Sequence, residues 1–98
     1  MKNGIELITE ERQRQIEEEG FTAEYDSQHC LNQLAIAAAF YALPWQLRIA
    51  LCEAAEKEVW PLPGEWYKPT EDTKEGTIIE LKRAGAMIAA EIDRLQNT

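Results

Sequence analysis

The chain reads as an all-α protein, a compact bundle of about four helices with one long Pro- and Trp-rich loop. Three observations predict this. Apolar residues recur at spacings of three and four in several segments, the period of a helix face. No segment alternates apolar and polar residues over the length of a strand. Three of the four prolines crowd into one stretch, WPLPGEWYKP, which leaves long proline-free segments for helix. Ninety-eight residues suit one domain spanning 1–98.

The first helix is expected over TEERQRQIEEEG, after a lead-in at residues 1–8 that carries Ile5, Leu7 and Ile8. Thr9 is the expected N-cap, Glu10 and Glu11 suit the positive end of the helix dipole, and Gly20 suits the left-handed end. Glu17, Glu18 and Glu19 sit where that dipole disfavours negative charge.

The second helix, Asp26 to Leu43, is the central packing element. Asp26 or Ser27 can cap it, and Pro44 stops it because the residue before proline leaves the α region. Its alanines let neighbours approach closely, and Leu31, Leu34, Ala38 and Tyr41 form a 3-4-3 seam toward one partner. A third helix is expected over WQLRIALCEAAEKEVW, with Leu47, Ala50, Leu51, Ala54, Ala55 and Val59 inward.

Pro61, Pro63 and Pro69 break regular structure in the next segment. Trp60, Trp66 and Tyr67 require that this loop lie against the body of the domain, since three large rings are costly in water. The last helix begins near Thr73 or Thr77 and runs to about Gln96. Ile78, Leu81, Gly85, Ile88, Ile92 and Leu95 keep a strict 3-4-3-4-3 spacing. Small residues at Ala84, Gly85, Ala86, Ala89 and Ala90 predict close packing against the second helix.

Charge and composition exclude several classes. A formal net charge of −8 argues against general binding to DNA or RNA, whose affinity rests on Lys and Arg neutralising phosphates. It leaves room for a local basic pocket or for an acidic surface that covers a basic partner. No apolar run is long enough to span a membrane, and MKNGIELITEERQ lacks the apolar region of a signal peptide, so the expected location is the cytoplasm. Cys30 and Cys52 read as reduced thiols; they form no CxxC pair.

Nucleophilic catalysis has little to stand on, with a single histidine and no nucleophile elbow around it. Glu53 and Glu56 form one ExxE, half of the Mg²⁺-binding carboxylate set of MazG-type nucleotide pyrophosphohydrolases. The other half is missing, because Glu91 and Asp93 are two apart and do not share a helix face. Asp26 and His29 offer two metal ligands without a third.

A binding pocket is better provided for. Arg12, Gln15 and Glu19 share one face of the first helix, and a loop that folds back brings Asp26 and His29 toward it. Trp60, Trp66, Tyr67 and Lys68 lie on the aromatic loop. Rings for stacking with Arg and Lys for phosphate suit a nucleotide-like small molecule.

The segments ERQRQIEEEGFTAEYDSQH, LAIAAAFYALP, WPLPGEWYKP and LKRAGAMIAAEIDRL resemble a widespread family of small uncharacterised proteins encoded by phages and prophages. The shared positions include Arg12, Gln15, Glu19, Gly20, Asp26, His29, Trp60, Trp66, Lys68, Pro69, Lys82 and Gly85. Phe21 stands where that family usually has tryptophan, and Ser27 where it usually has a second acid. A shorter likeness, carried by QRQIEEEGFTAEYDSQH, is to the ryanodine-receptor repeat domain; it implies a helical module with a pocket for a nucleotide-like ligand.

The expectation is therefore a phage-type accessory protein of the host cytoplasm that sequesters a nucleotide-derived molecule, such as a host immune signal, without turning it over or needing a cofactor. Arg12 and Lys68 would meet phosphate, Trp66 or Tyr67 would stack on a base, and Gln15, Asp26 and His29 would orient it. The alternatives are an acidic inhibitor of a host enzyme, carried by Glu17–Glu19 and by Glu71, Asp72 and Glu75, and a MazG-like hydrolase. The last helix also suits assembly as a homo-oligomer.

Overall fold

The computed structural model describes residues 1–19, 33–62 and 64–96, with Asp26 and His29 outside that set. Among the described residues are four α-helices and one short 3₁₀ turn: α1 (Gly4–Glu19), α2 (Gln33–Ala42), α3 (Trp45–Ala55), the turn Gly64–Trp66, and α4 (Lys74–Gln96). No strand occurs among them, and the all-α expectation holds.

α1 starts five residues before the expected Thr9. The reason is a reciprocal cap at Asn3. Its Oδ1 accepts from the Glu6 N–H at 2.9 Å, and its own N–H donates to Glu6 Oε1 at 3.1 Å. Thr9 lies inside the helix, where its hydroxyl donates back to the Ile5 carbonyl at 2.8 Å.

α2 and α4 form the centre of the molecule. Ala37 and Ala38 pack with Ala84 and Met87, and Tyr41 and Leu62 complete the same cluster. Small residues on both helices let the backbones approach, as the alanine content predicts. Thr73 caps α4 by accepting from the Gly76 N–H at 3.0 Å. Gly76 is obligatory here, because a Cβ at that position would lie 2.1 Å from the Glu71 carbonyl oxygen.

α1 packs on a neighbouring strip of α4. A Cβ at Gly85 would come 2.6 Å from Ile8 Cδ1, so Gly85 is the notch that receives α1. The Arg12–Asp93 ion pair, 3.0 Å long, closes the same interface toward the C-terminal end of α4.

Two expectations are corrected. α3 ends at Ala55, not Trp60. Glu56 takes the left-handed conformation at φ 55°, and the N–H groups of Glu56 and Lys57 close the turn onto the carbonyls of Glu53 and Cys52. Leu47, Ala50, Leu51, Ala54 and Ala55 do not point inward: all are exposed, and the helix is anchored by Arg48 alone among its buried residues.

The 3-4-3-4-3 seam of α4 also faces out. Ile78, Leu81, Ile88, Ile92 and Leu95 are 42–55% exposed, while Gly76, Glu80, Ala84, Met87, Ala90 and Glu91 are buried. Regular spacing shows that residues share a face but not what covers it. Here the smaller residues give α2 the closer approach, and the large ones are left on the outside.

The Pro-rich segment does lie against the body: Trp60, Trp66 and Tyr67 pack on the central cluster. No described helix is long and apolar enough to cross a membrane.

Candidate functional site

Arg48 organises the end of the molecule where α2 gives way to α3. A helix leaves its last carbonyls without intrahelical partners, and Pro44 stops α2 abruptly. Arg48, one turn into α3, reaches back to supply them. Its Nε donates to the Leu43 carbonyl at 2.9 Å and its Nη2 to the Tyr41 carbonyl at 3.1 Å. A cation at a helix C-terminus is also favoured by the dipole.

The remaining edge of the guanidinium turns to α4. Nη1 donates to Glu80 Oε1 at 2.6 Å and to the Tyr67 hydroxyl at 3.1 Å. The rings of Phe40, Tyr41 and Trp45 lie within 6.0 Å of the Arg48 Cζ. Burial favours the neutral guanidine, but the Glu80 carboxylate and the Tyr67 hydroxyl override it and raise the Arg48 pKa further. The Thr70 hydroxyl lies 2.9 Å from both Glu80 Oε2 and the Gly76 carbonyl, which fixes the other edge of the carboxylate.

Beside this network is a cavity of about 490 Å³. Tyr41 and the exposed Trp45 ring form its aromatic wall, and Leu81 lines it from α4. Its charged lining is Glu71, Asp72 and Glu80 against Arg48 alone. Acceptors therefore outnumber cations, and the cavity suits a neutral or cationic group with hydrogen-bond donors better than a phosphate.

The residues expected to form the site fall into two groups. Arg12 and Gln15 lie on α1 against α4. Arg12 is held by Asp93, and Gln15 Nε2 donates to Glu11 Oε2 at 3.2 Å. Burial pushes the Glu11 carboxyl up, but hydrogen bonding and charge from Arg14 outweigh it, and the pKa falls below its ordinary 4.5. Two buried side-chain oxygens, Gln15 Oε1 on α1 and Glu91 Oε2 on α4, have no hydrogen-bond partner among the described residues. Glu19 ends α1; Asp26 and His29 lie outside the described residues.

Trp60, Trp66, Tyr67 and Lys68 form the second group. Trp60 and Tyr67 have ring centroids 5.0 Å apart, and Tyr67 meets Phe40 edge-on at 5.5 Å. These rings stack on one another and on the core. The Lys68 side chain is exposed, while its N–H donates to the Tyr41 hydroxyl at 2.9 Å. Burial raises the Tyr41 pKa above 10.0, outweighing the bond from the Lys68 N–H. Arg83 stands between the groups: it donates to the Lys68 carbonyl, and its charge reaches Glu11. None of Arg12, Gln15 or Lys68 lines the cavity.

Trp45, Arg48, Thr70 and Glu80 escape a reading of motifs. The available signal was local: an arginine four residues past a helix-stopping proline can reach the carbonyls left open. Glu53 and Glu56, the single ExxE, do not share a helix face, because Glu56 is the left-handed residue beyond the end of α3.

No family model matches the chain, and no curated protein or solved structure matches it either.

Proposed function

We propose that the chain is a binding module that holds a small nucleotide-derived molecule without turning it over, with sequestration of a signal as its use. The observation that carries this reading is the cavity of about 490 Å³ at the junction of α2, α3 and α4. Its size lies within the range of small-molecule sites, roughly 300–1,000 Å³. Its wall supplies an indole to stack on, and its polar groups are already oriented by their bonds to one another, which lowers the ordering cost of binding. The excess of acceptors favours the base or nucleoside part of such a ligand over its phosphate in this cavity.

The test is thermal unfolding against nucleosides, mono-, di- and cyclic nucleotides and ADP-ribose derivatives. A ligand at about 100 times its Kd adds roughly 2.7 kcal/mol, a shift of several degrees for a domain this size. Trp45→Ala, a change at an exposed ring, should abolish the shift without lowering the unliganded Tm by more than a degree or two. Absence of a shift with every compound would sink the reading.

A second reading is an acidic protein that covers a basic surface on an enzyme. It is favoured by the exposed Glu71, Asp72 and Glu75 at the start of α4, next to the exposed Ile78 and Leu81. An acidic rim beside an apolar patch gives steering and burial together. Association that weakens with salt, survives Trp45→Ala and is lost on Asp72→Lys would select this reading over the first.

A further inference from the structure

The cavity at the junction of α2, α3 and α4 has side chains that accept hydrogen bonds and few that can still donate. Glu80 and Arg48 answer each other at 2.6 Å, and the second Glu80 oxygen takes the Thr70 hydroxyl. Arg48 commits its N–H groups to the carbonyls of Leu43 and Tyr41, to Glu80 and to the Tyr67 hydroxyl, which leaves a single N–H open. The Tyr41 hydroxyl donates to the Trp66 carbonyl at 3.4 Å, and the Thr77 hydroxyl to the Thr73 carbonyl at 2.8 Å. The lining side-chain donors still open to a ligand are that Arg48 N–H and the Trp45 indole N–H.

Charge is equally one-sided. With Glu80 answered by Arg48, the carboxylates of Glu71 and Asp72 remain, and no other cation lines the cavity among the described residues. Neither carboxylate is bonded to another described residue. Both are exposed, so water solvates their charge. A ligand that covers them displaces that water. A neutral base then leaves the two charges poorly solvated, and a phosphate adds repulsion. A cation replaces the lost water with direct attraction. The wall suits a flat cation: the Trp45 ring is 45% exposed toward solvent and lines the cavity. The Arg48 Cζ lies 6.0 Å from the Trp45 ring centroid, so a planar cation already approaches this indole within the fold, its charge offset by Glu80.

We infer that the cavity selects a positively charged heteroaromatic ring, the N-alkylated base or pyridinium of a nucleoside, over its neutral counterpart. This rests on the cavity being the ligand site proposed above. The Trp45 indole stacks on the ring, Glu71 and Asp72 offset its charge, and the open Arg48 N–H is left for a carbonyl substituent such as a carboxamide or a purine oxo group.

The test is titration calorimetry with matched pairs of probes. Nicotinamide riboside and 7-methylguanosine carry the charge; dihydronicotinamide riboside and guanosine have nearly the same outline without it. The cationic member of each pair should bind about tenfold tighter or more, a preference that shrinks as salt is added. Glu71→Gln combined with Asp72→Asn should remove most of that preference and leave the unliganded Tm unchanged, since both residues are exposed. Trp45→Ala should abolish binding of the cationic probes. Equal or tighter binding of the neutral members would overturn this inference alone and leave the binding module standing. So would a preference that survives the Glu71 and Asp72 changes. Agmatine, a flat cation with no aromatic ring, binding as tightly as nicotinamide riboside would overturn the choice of a ring. Binding of none of the probes would overturn the inference together with the reading it rests on.

Discussion

Arg48 shows how much one side chain can be asked to do. It caps the carbonyls of Tyr41 and Leu43, pairs with Glu80 and holds the Tyr67 hydroxyl, all while buried. A buried ion pair is a poor source of net stability, because desolvation offsets most of the attraction, but removing one partner strands the other. Arg48→Met should therefore destabilise the fold by about 3–5 kcal/mol in chemical denaturation. The double change Arg48→Met with Glu80→Leu should recover most of that loss, since no charge is then left buried. Ionisation at two other residues contributes to the pH dependence of stability. Glu11 has a folded pKa below its ordinary 4.5, so its contribution is present above that value and is lost as pH falls through the folded pKa. Tyr41 has a folded pKa above its ordinary 10.0, so stability is intact below 10 and is lost as pH rises beyond it. Melting temperature against pH should fall on both sides, and Tyr41→Phe should flatten the alkaline limb while Glu11→Gln flattens the acid one.

Helices α1 and α4 meet through an absence, the missing side chain of Gly85. In an open helix interior Gly→Ala gains about 1 kcal/mol. At position 85 the added methyl would sit 2.6–3.2 Å from three carbon atoms of Ile8. Gly85→Ala should instead cost about 1–3 kcal/mol, the range for overpacking, and Ile8→Ala should make the same change favourable. A double-mutant cycle by urea denaturation checks this, and additive effects would show that the notch is not what seats α1. The helices were legible in the sequence to different degrees. Periodicity and Pro44 placed the end of α2, and Thr73, one of the two candidates with Thr77, proves to be the cap of α4. The start of α1 was readable too, as Asn3 and Glu6 three apart, but Thr9 before two glutamates is an equally good local signal. The end of α3 was not readable, because the left-handed residue that terminates it is glutamate, where glycine is the usual marker.

At the scale of the molecule, the all-α class follows from the helical spacing of apolar residues, and the packing of α2 on α4 from where the small residues fall. Small residues at Ala37, Ala38, Ala84 and Ala90 can only be stabilising where backbones come close. The outward direction of the α4 seam does not follow, since periodicity is equally satisfied by a core and by a partner. The same limit applied to the site. Trp60, Trp66 and Tyr67 were expected to lie against the body and also to offer stacking faces to a ligand; they pack, half-buried, on the central cluster. The cavity was built instead from Trp45, Arg48, Thr70 and Glu80, which are scattered over 36 positions of sequence and form no motif. The whole molecule carries a net charge of −8, and four of its five arginines, Arg12, Arg14, Arg48 and Arg94, are each bonded to a carboxylate within the fold.

The most direct test of the ligand-binding account is an amide and indole chemical-shift map of isotope-labelled protein titrated with the nucleosides and nucleotides of the thermal panel. The account predicts perturbations grouped at Tyr41, Trp45, Arg48, Thr70 and Thr77, with the Trp45 indole N–H among the largest. Perturbations confined to Arg12, Gln15 and Lys68, away from the cavity, or none with any compound, would contradict it.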